Sequence, residues 1–341
     1  ARSCIYAVEQ HILCRDGAHG CASGEIGIGN LTKQAKGDYL TGFYGKWHLG
    51  ALSDRGVGSA DCYAKPANTS CQLGYWEKDG GCCFGLDGPK LQVSHPLHFG
   101  FDEFVATPEC SASATPNCGC FFYPTPHNDS KCELGHYAHG VAGWPGSAAE
   151  RGYLECMQYY TGNVTESGHV ASIEPHTSVS GVDDSDYLVD QFERLLVRAT
   201  AAGRPFVAVI FYHAVHIPYV AAPYWRERYL SRGFDENEAD YWGSVTQIDA
   251  AVGRVRSLLK RHGVADRTWL SLTADNGPEV DPESGQGTNP FRNPGRTAGL
   301  RGRKRDATEG GTRVIGLVEY PKVITSNRHE PHFPISTLDL A

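Results

Sequence analysis

Apolar and polar positions sort the second half of the chain into alternating strand-like and helix-like stretches. RPFVAVIFY (residues 204–212) is a continuous apolar run rich in β-branched and aromatic side chains, the pattern of a strand covered on both faces. Just before it, DYLVDQFERLLVRA (residues 186–199) sets Leu188, Phe192, Leu195 and Leu196 at helical spacing, with residues 184–186 as cap candidates. After it, Tyr241, Val245, Ile248, Val252, Val255 and Leu259 form a second apolar helical face, closed by Gly263. RTWLSLTA (residues 267–274) then reads as a second buried strand, and RVIGLVEYP (residues 313–321) as a third. Strand, helix and strand of these lengths predict a βαβ unit with parallel strands and a right-handed crossover. The class is α/β.

Residues 51–180 break this rhythm. They are rich in Gly, Pro, Cys, Ser and Asn, with few periodic runs, and predict long loops stapled by disulfides rather than a sheet core. The 341 residues suffice for one large core or two modest ones.

Composition narrows the function. Hydrophobic content of 40% and charged content of 21% are those of a globular protein. A net charge of -8 argues against nucleic acid as a partner, which would call for a basic face. No apolar run approaches the roughly 20 residues that span a bilayer. All 12 cysteines fall between Cys4 and Cys156, and neither Cys82-Cys83 nor Cys118-Gly119-Cys120 has chelating geometry. An even, clustered set reads as a disulfide framework formed in an oxidising compartment. Glycosylation triplets at Asn30, Asn68, Asn128 and Asn163 lie in the same half and point the same way. The expected location is the secretory pathway, extracellular or cell-surface, with the lysosome as the alternative.

Chemistry gathers where the strands end. In open α/β sheets, ligands bind beyond the carboxyl ends of the strands. The strand ending at Tyr212 runs into HAVHIP, the one ending at Ala274 into DNGPE, and the apolar run over residues 39–44 into GKWHLG. His213, His216, Asp275, Asn276, Lys46 and His48 are therefore expected to share one sheet edge. Carboxylate and amide oxygens suit a hard cation, while lysine and histidine suit a small oxyanion and its proton traffic. Singly, each piece has a plainer reading: DNG is also a hairpin-turn signal, His216 a packed loop histidine, and RGRKRDATEGG (residues 301–311) a solvated basic loop. Their joint occurrence on four loops, three of them after predicted strands, favours a site.

These same stretches resemble the sulfatase family of the alkaline-phosphatase-like superfamily. GDYLTGFYGKWHLG (residues 37–50) is similar to the family's second signature, FVAVIFYHAVHIP (206–218) to its histidine-before-proline strand end, and LSLTADNGPE (270–279) to its metal-binding Asp-Asn-Gly. LRGRKRDATEGGTRV (300–314) resembles its lysine loop, and HFGFDEF (98–104) and QIDAAVGRVRSLL (247–259) match recurrent family stretches. Ala1-Arg2, followed by CRDGAHG (14–20), looks like the tail of the first signature, although Tyr6-Ala7-Val8 stands where the family has Leu-Thr-Gly. FPISTLDLA (333–341) resembles the segment before the family's final helix and small C-terminal sheet.

The resemblance implies a large, mostly parallel sheet flanked by helices. Residues 1–341 would be a single catalytic-domain fragment, with 51–180 as a disulfide-rich insertion and the small C-terminal sheet missing. It implies hydrolysis of sulfate monoesters, of a sulfated polysaccharide or an aryl or steroid sulfate, by a formylglycine lying three residues before Ala1. Asp275 and Asn276 would hold Ca²⁺, or alternatively Mg²⁺. Lys46 and Lys304 would offset charge on the sulfate oxygens, His216 would protonate the leaving oxygen, His48 would hold or deprotonate the hydrate, and Arg2 would pair with it. Two rivals stand beside this reading: a phosphodiesterase or phosphonate hydrolase of the same superfamily, and a catalytically silent extracellular scaffold that binds glycans. Neither substrate identity nor oligomeric state follows from the residues.

Overall fold

The structure is a computed structural model and describes residues 27–36, 38–47, 95–107, 158–164, 174–177, 184–216, 221–279, 294–304 and 306–325. Helix α1 (Ile28–Lys36) leads into β1 (Leu40–Lys46); a 3-10 turn (Pro96–Phe99) leads into β2 (Glu103–Thr107). Strands β3 (Gln158–Asn163) and β4 (Glu174–Thr177) follow, then α2 (Ser185–Ala201) and β5 (Phe206–Phe211). Helices α3 (Pro223–Leu230) and α4 (Glu236–Arg261) precede β6 (Leu270–Thr273), the single turn α5 (Glu309–Thr312) and β7 (Gly316–Glu319).

The main sheet has the order β4-β3-β2-β1-β5. Strand β1 runs parallel to both β2 and β5, whereas β3 pairs antiparallel with β2 and with β4. The sheet is therefore mixed, with its parallel part at β2, β1 and β5, where the chemistry was expected. Three of its five strands come from within residues 51–180, where sequence pattern predicts loops. Their signal is weak because β3 and β4 are short and neither alternates cleanly.

The predicted βαβ pairing is not formed. Strand β6 pairs antiparallel with β7 in a separate two-stranded sheet, and among the described residues β5 has β1 as its one neighbour. Accordingly FVAVIF is half-buried rather than covered on both faces, and Phe211 is 43% exposed.

Side chains of β1 alternate between two cores. Tyr44 joins Leu188, Phe192, Leu195 and Leu196 of α2 and Val255, Leu258 and Leu259 of α4 on one face. Phe43 and Trp47 join Leu97, Phe99, Phe101 and Phe104 on the other. Each large aliphatic side chain so buried contributes about 1.5–3 kcal/mol. Arg254 of α4 pairs with Asp186, Asp190 and Glu193 of α2, fixing the rotation of one helix on the other.

Helix α2 buries the four apolar positions its periodicity marks. Helix α4 does so only in its last turns. Its first half turns Asp240, Gly243, Ser244 and Gln247 inward and leaves Val245 37% exposed. The reason is its neighbour: Asp240 Oδ1 accepts the Ala221 amide and Gln247 Oε1 the Ala222 amide, capping the start of α3. Polar groups that satisfy a buried helix start displace the apolar stripe.

His95, 3% exposed and stacked on His98 at 3.8 Å, is held at about 4 against an ordinary 6.5, first by burial and then by His98. The native state thus keeps it neutral, while the unfolded chain takes up a proton below pH 6.5. Its contribution is complete above that value and is lost as pH falls towards 4, amounting to roughly 3 kcal/mol at most. Denaturant melts between pH 7 and 4.5 should show this slope, and His95→Gln should flatten it; an unchanged slope would place the titrating group elsewhere.

Candidate functional site

Lys46 ends β1 and His213 follows β5 by two residues. The parallel register pairs Gly45 with Phe211, so both lie at the carboxyl edge of the sheet. Gly45 has φ +110°, and a Cβ there would overlap the Phe211 carbonyl oxygen. That close approach sets where Lys46 emerges.

Beyond β5 the chain turns sharply, the His216 amide donating to the His213 carbonyl oxygen at 2.9 Å. Here His216 meets the lysine loop: Lys304 Nζ donates to His216 Nε2 at 2.9 Å. On its other side Lys304 lies 3.5 Å from Glu279 Oε2, both side chains being close to fully buried. An ammonium that bridges an imidazole and a carboxylate is fixed from two directions and carries a proton next to a basic nitrogen.

The lysine loop is fastened to the loop after β6 through main chain and one arginine side chain. The Lys304 amide donates to Pro278 O at 2.9 Å, the Gly277 amide to Gly311 O at 2.8 Å, and Arg303 Nη1 to Glu279 O at 3.0 Å. Such contacts require backbones to touch. A Cβ on Gly277 would overlap Gly310 O, and one on Gly310 would overlap Gly302 O. Gly277 lets the two loops interlock, and Gly310 lets the lysine loop close on itself, which together set Lys304 against His216.

Asp275 is exposed and Asn276 half-buried in the same loop; the Asn276 amide nitrogen donates to Gly277 O at 2.7 Å, leaving Oδ1 as its acceptor atom. These are hard oxygen donors suited to Ca²⁺ or Mg²⁺. They fit in kind and fall short in number, since Ca²⁺ takes 6–8 oxygens and no cluster of three or more His, Cys, Asp or Glu side chains forms a metal site among the described residues.

Three contributors escape a reading of the sequence. Glu279 shows no signal beyond its place after the DNG turn. Asp184 looks like a helix cap, and it does precede α2, but its side chain caps nothing. Instead its Oδ2 accepts His213 Nδ1–H at 2.7 Å and the hydroxyl of Tyr159 on β3, with His213 and Asp184 side chains fully buried. The partners lie 29 and 25 residues away in the chain, so only the fold brings them together.

The structure sets Lys46 and His213 at neighbouring strand ends and His216 against Lys304. Asp275 and Asn276 do not share that sheet edge, because β6 pairs with β7 in a separate sheet, and their loop joins the group through the lysine loop. Arg2, His48, Ala1 and every cysteine lie outside the described residues, as do Asn68 and Asn128. Asn163 is exposed at the end of β3. Asn30 is half-buried in the first turn of α1, where its Oδ1 accepts the Gly27 amide at 3.2 Å. No helix among the described residues is long and apolar enough to cross a membrane.

A family model described as Sulfatase matches residues 18–341. Steryl-sulfatase of Rattus norvegicus is 27% identical over 332 residues, covering 91% of this chain and 50% of that protein. N-acetylgalactosamine-6-O-sulfatase of Bacteroides thetaiotaomicron is 23% identical, covering 90% of this chain and 54% of that protein. The chain spans about half the length of these curated relatives. Among solved structures, Ps i-CgsB superposes with a TM-score of 0.50 at 18% identity, covering 88% of this chain and 50% of that one, a likeness of fold. With interlocked DNG and lysine loops, a histidine before Ile217-Pro218, and a family match over nearly its whole length, the chain belongs to the sulfatase family.

Proposed function

We propose that the chain carries leaving-group and oxyanion chemistry for hydrolysis of sulfate monoesters. The observation that supports this best is the Lys304–His216 pair, a hydrogen bond with its nitrogens 2.9 Å apart beside the DNG loop. An alkoxide leaving group needs a proton as the S–O bond breaks; in this reading protonated His216 gives it up from Nε2, and the vacated Nε2 then takes a proton from Lys304. Lys304 and Lys46 offset the charge that spreads over the sulfate oxygens. Asp275 and Asn276 would contribute two oxygen ligands to Ca²⁺, which when bound polarises a sulfate oxygen. The nucleophile in this reading is a formylglycine, with Arg2 and His48 beside it.

Substrate class follows from the relatives only broadly. Their names include both a steryl-sulfatase and an amino-sugar sulfatase, so a sulfated glycan and a small aryl or steroid sulfate both belong to the proposal. A secreted or lysosomal glycoprotein with paired cysteines completes it; non-reducing mass determination that finds mainly free thiols would remove that part.

The test of the reaction is comparative. Full-length protein containing this chain should release sulfate from 4-nitrophenyl sulfate far faster than phosphate from 4-nitrophenyl phosphate. The reverse preference would favour the phosphodiesterase or phosphonate hydrolase reading, and no turnover of either the silent scaffold.

A further inference from the structure

We propose that Asp184 is a positioning residue for His216, acting through His213; this rests on the leaving-group role proposed for His216. Asp184 Oδ2 receives two donors, His213 Nδ1–H at 2.7 Å and the Tyr159 hydroxyl, and all three residues are buried. They come from three elements: Asp184 from the start of α2, Tyr159 from β3 and His213 from the turn after β5. The carboxylate therefore ties the helix layer and the antiparallel part of the sheet to the first residue of the turn that presents His216.

The link onward is short. The His213 carbonyl oxygen accepts the His216 amide at 2.9 Å, and His216 Nε2 then accepts from Lys304. With its ring tied in a buried seat, His213 cannot shift without breaking the Asp184 bond, and any such shift would carry its main chain and with it that turn. Asp184 fixes the ring and selects the tautomer with the proton on Nδ1.

Stability alone is a poor reason for this arrangement. A fully buried carboxylate carries a desolvation penalty that an apolar group of the same shape would avoid. Asp184 Oδ1 also has no hydrogen-bond partner among the described residues, which adds to the cost. The device is buried and connects to the proposed proton donor through one residue, His213. Its placement is that of a support which holds a reacting side chain to a fraction of an ångström.

The experiment uses full-length protein and a series of substituted phenyl sulfates, from 4-nitrophenyl sulfate, whose leaving group needs no proton, to an alkyl sulfate, which does. Asp184→Asn should lower kcat on the alkyl sulfate roughly 10–100-fold, the range for groups that orient a reacting ligand. KM should be little changed and the loss should vanish with 4-nitrophenyl sulfate. His213→Asn and Tyr159→Phe should show the same dependence on the leaving group, the second more weakly, and they carry the test if Asp184→Asn does not fold. Equal losses across the series in these variants would mean a merely structural anchor and would overturn the proposal. His216→Ala keeps the two failures apart: if it shows no leaving-group dependence, the acid role of His216 is wrong; if it does while the Asp184, His213 and Tyr159 variants do not, only the positioning role is wrong.

Discussion

Replacing Lys304 by alanine should lower sulfate-ester turnover about 10²–10³-fold, the usual cost of one preorganised electrostatic donor. The side chain is 11% exposed and held between His216 Nε2 and Glu279 Oε2, so its charge acts where water cannot screen it. Removal takes away that charge, the proton source for His216 and one partner of a buried carboxylate. The third loss is structural, and Lys304→Met combined with Glu279→Gln, which keeps bulk and removes the stranded charge, should melt close to the parent while being as inactive as Lys304→Ala. Turnover within a few-fold of the parent in both would show that Lys304 serves only to neutralise Glu279.

Gly310→Ala should be almost as damaging to activity while leaving the core untouched. The new Cβ would overlap Gly302 O and stand 2.6 Å from Arg301 O, both main-chain atoms that no rotamer can move aside. The two ends of the lysine loop must then part, because Arg301, Gly302 and Gly310 all belong to it, and Lys304 between them is carried away from His216. A misplacement of about 1 Å in a catalytic group costs on the order of 10²-fold in rate. The helices α2 and α4 and the two cores lie elsewhere, so the main thermal transition should persist. Wild-type turnover by this variant would contradict the tight closure of the lysine loop described above.

How far the sequence could be read depends on the range of the interactions. Leu188, Phe192, Leu195 and Leu196 were legible because helical periodicity is local, and all four are buried. Val245 misled for a long-range reason: α4 must turn Asp240 and Gln247 towards the start of α3, which no periodicity encodes. Strands β2, β3 and β4 were hidden because short strands inside a Gly-, Pro- and Cys-rich stretch lack alternation. The partners of β5 and β6 were misjudged because strand pairing is a tertiary choice. At the site, His216 and Lys304 were legible as motif positions, since turn chemistry and family resemblance are local in sequence. Asp184, Tyr159 and Glu279 were not, because each matters through a partner that only the fold supplies.

The central claim is that His216 and Lys304 act as one proton-delivering unit, and a double-mutant cycle on kcat for an alkyl sulfate tests it most directly. If they act together, His216→Ala and Lys304→Ala should each cost about 10²–10³-fold and the double variant at most about tenfold more than the worse single one. Independent roles would multiply, giving a loss of roughly 10⁴–10⁶-fold in the double variant, and that result would contradict the claim.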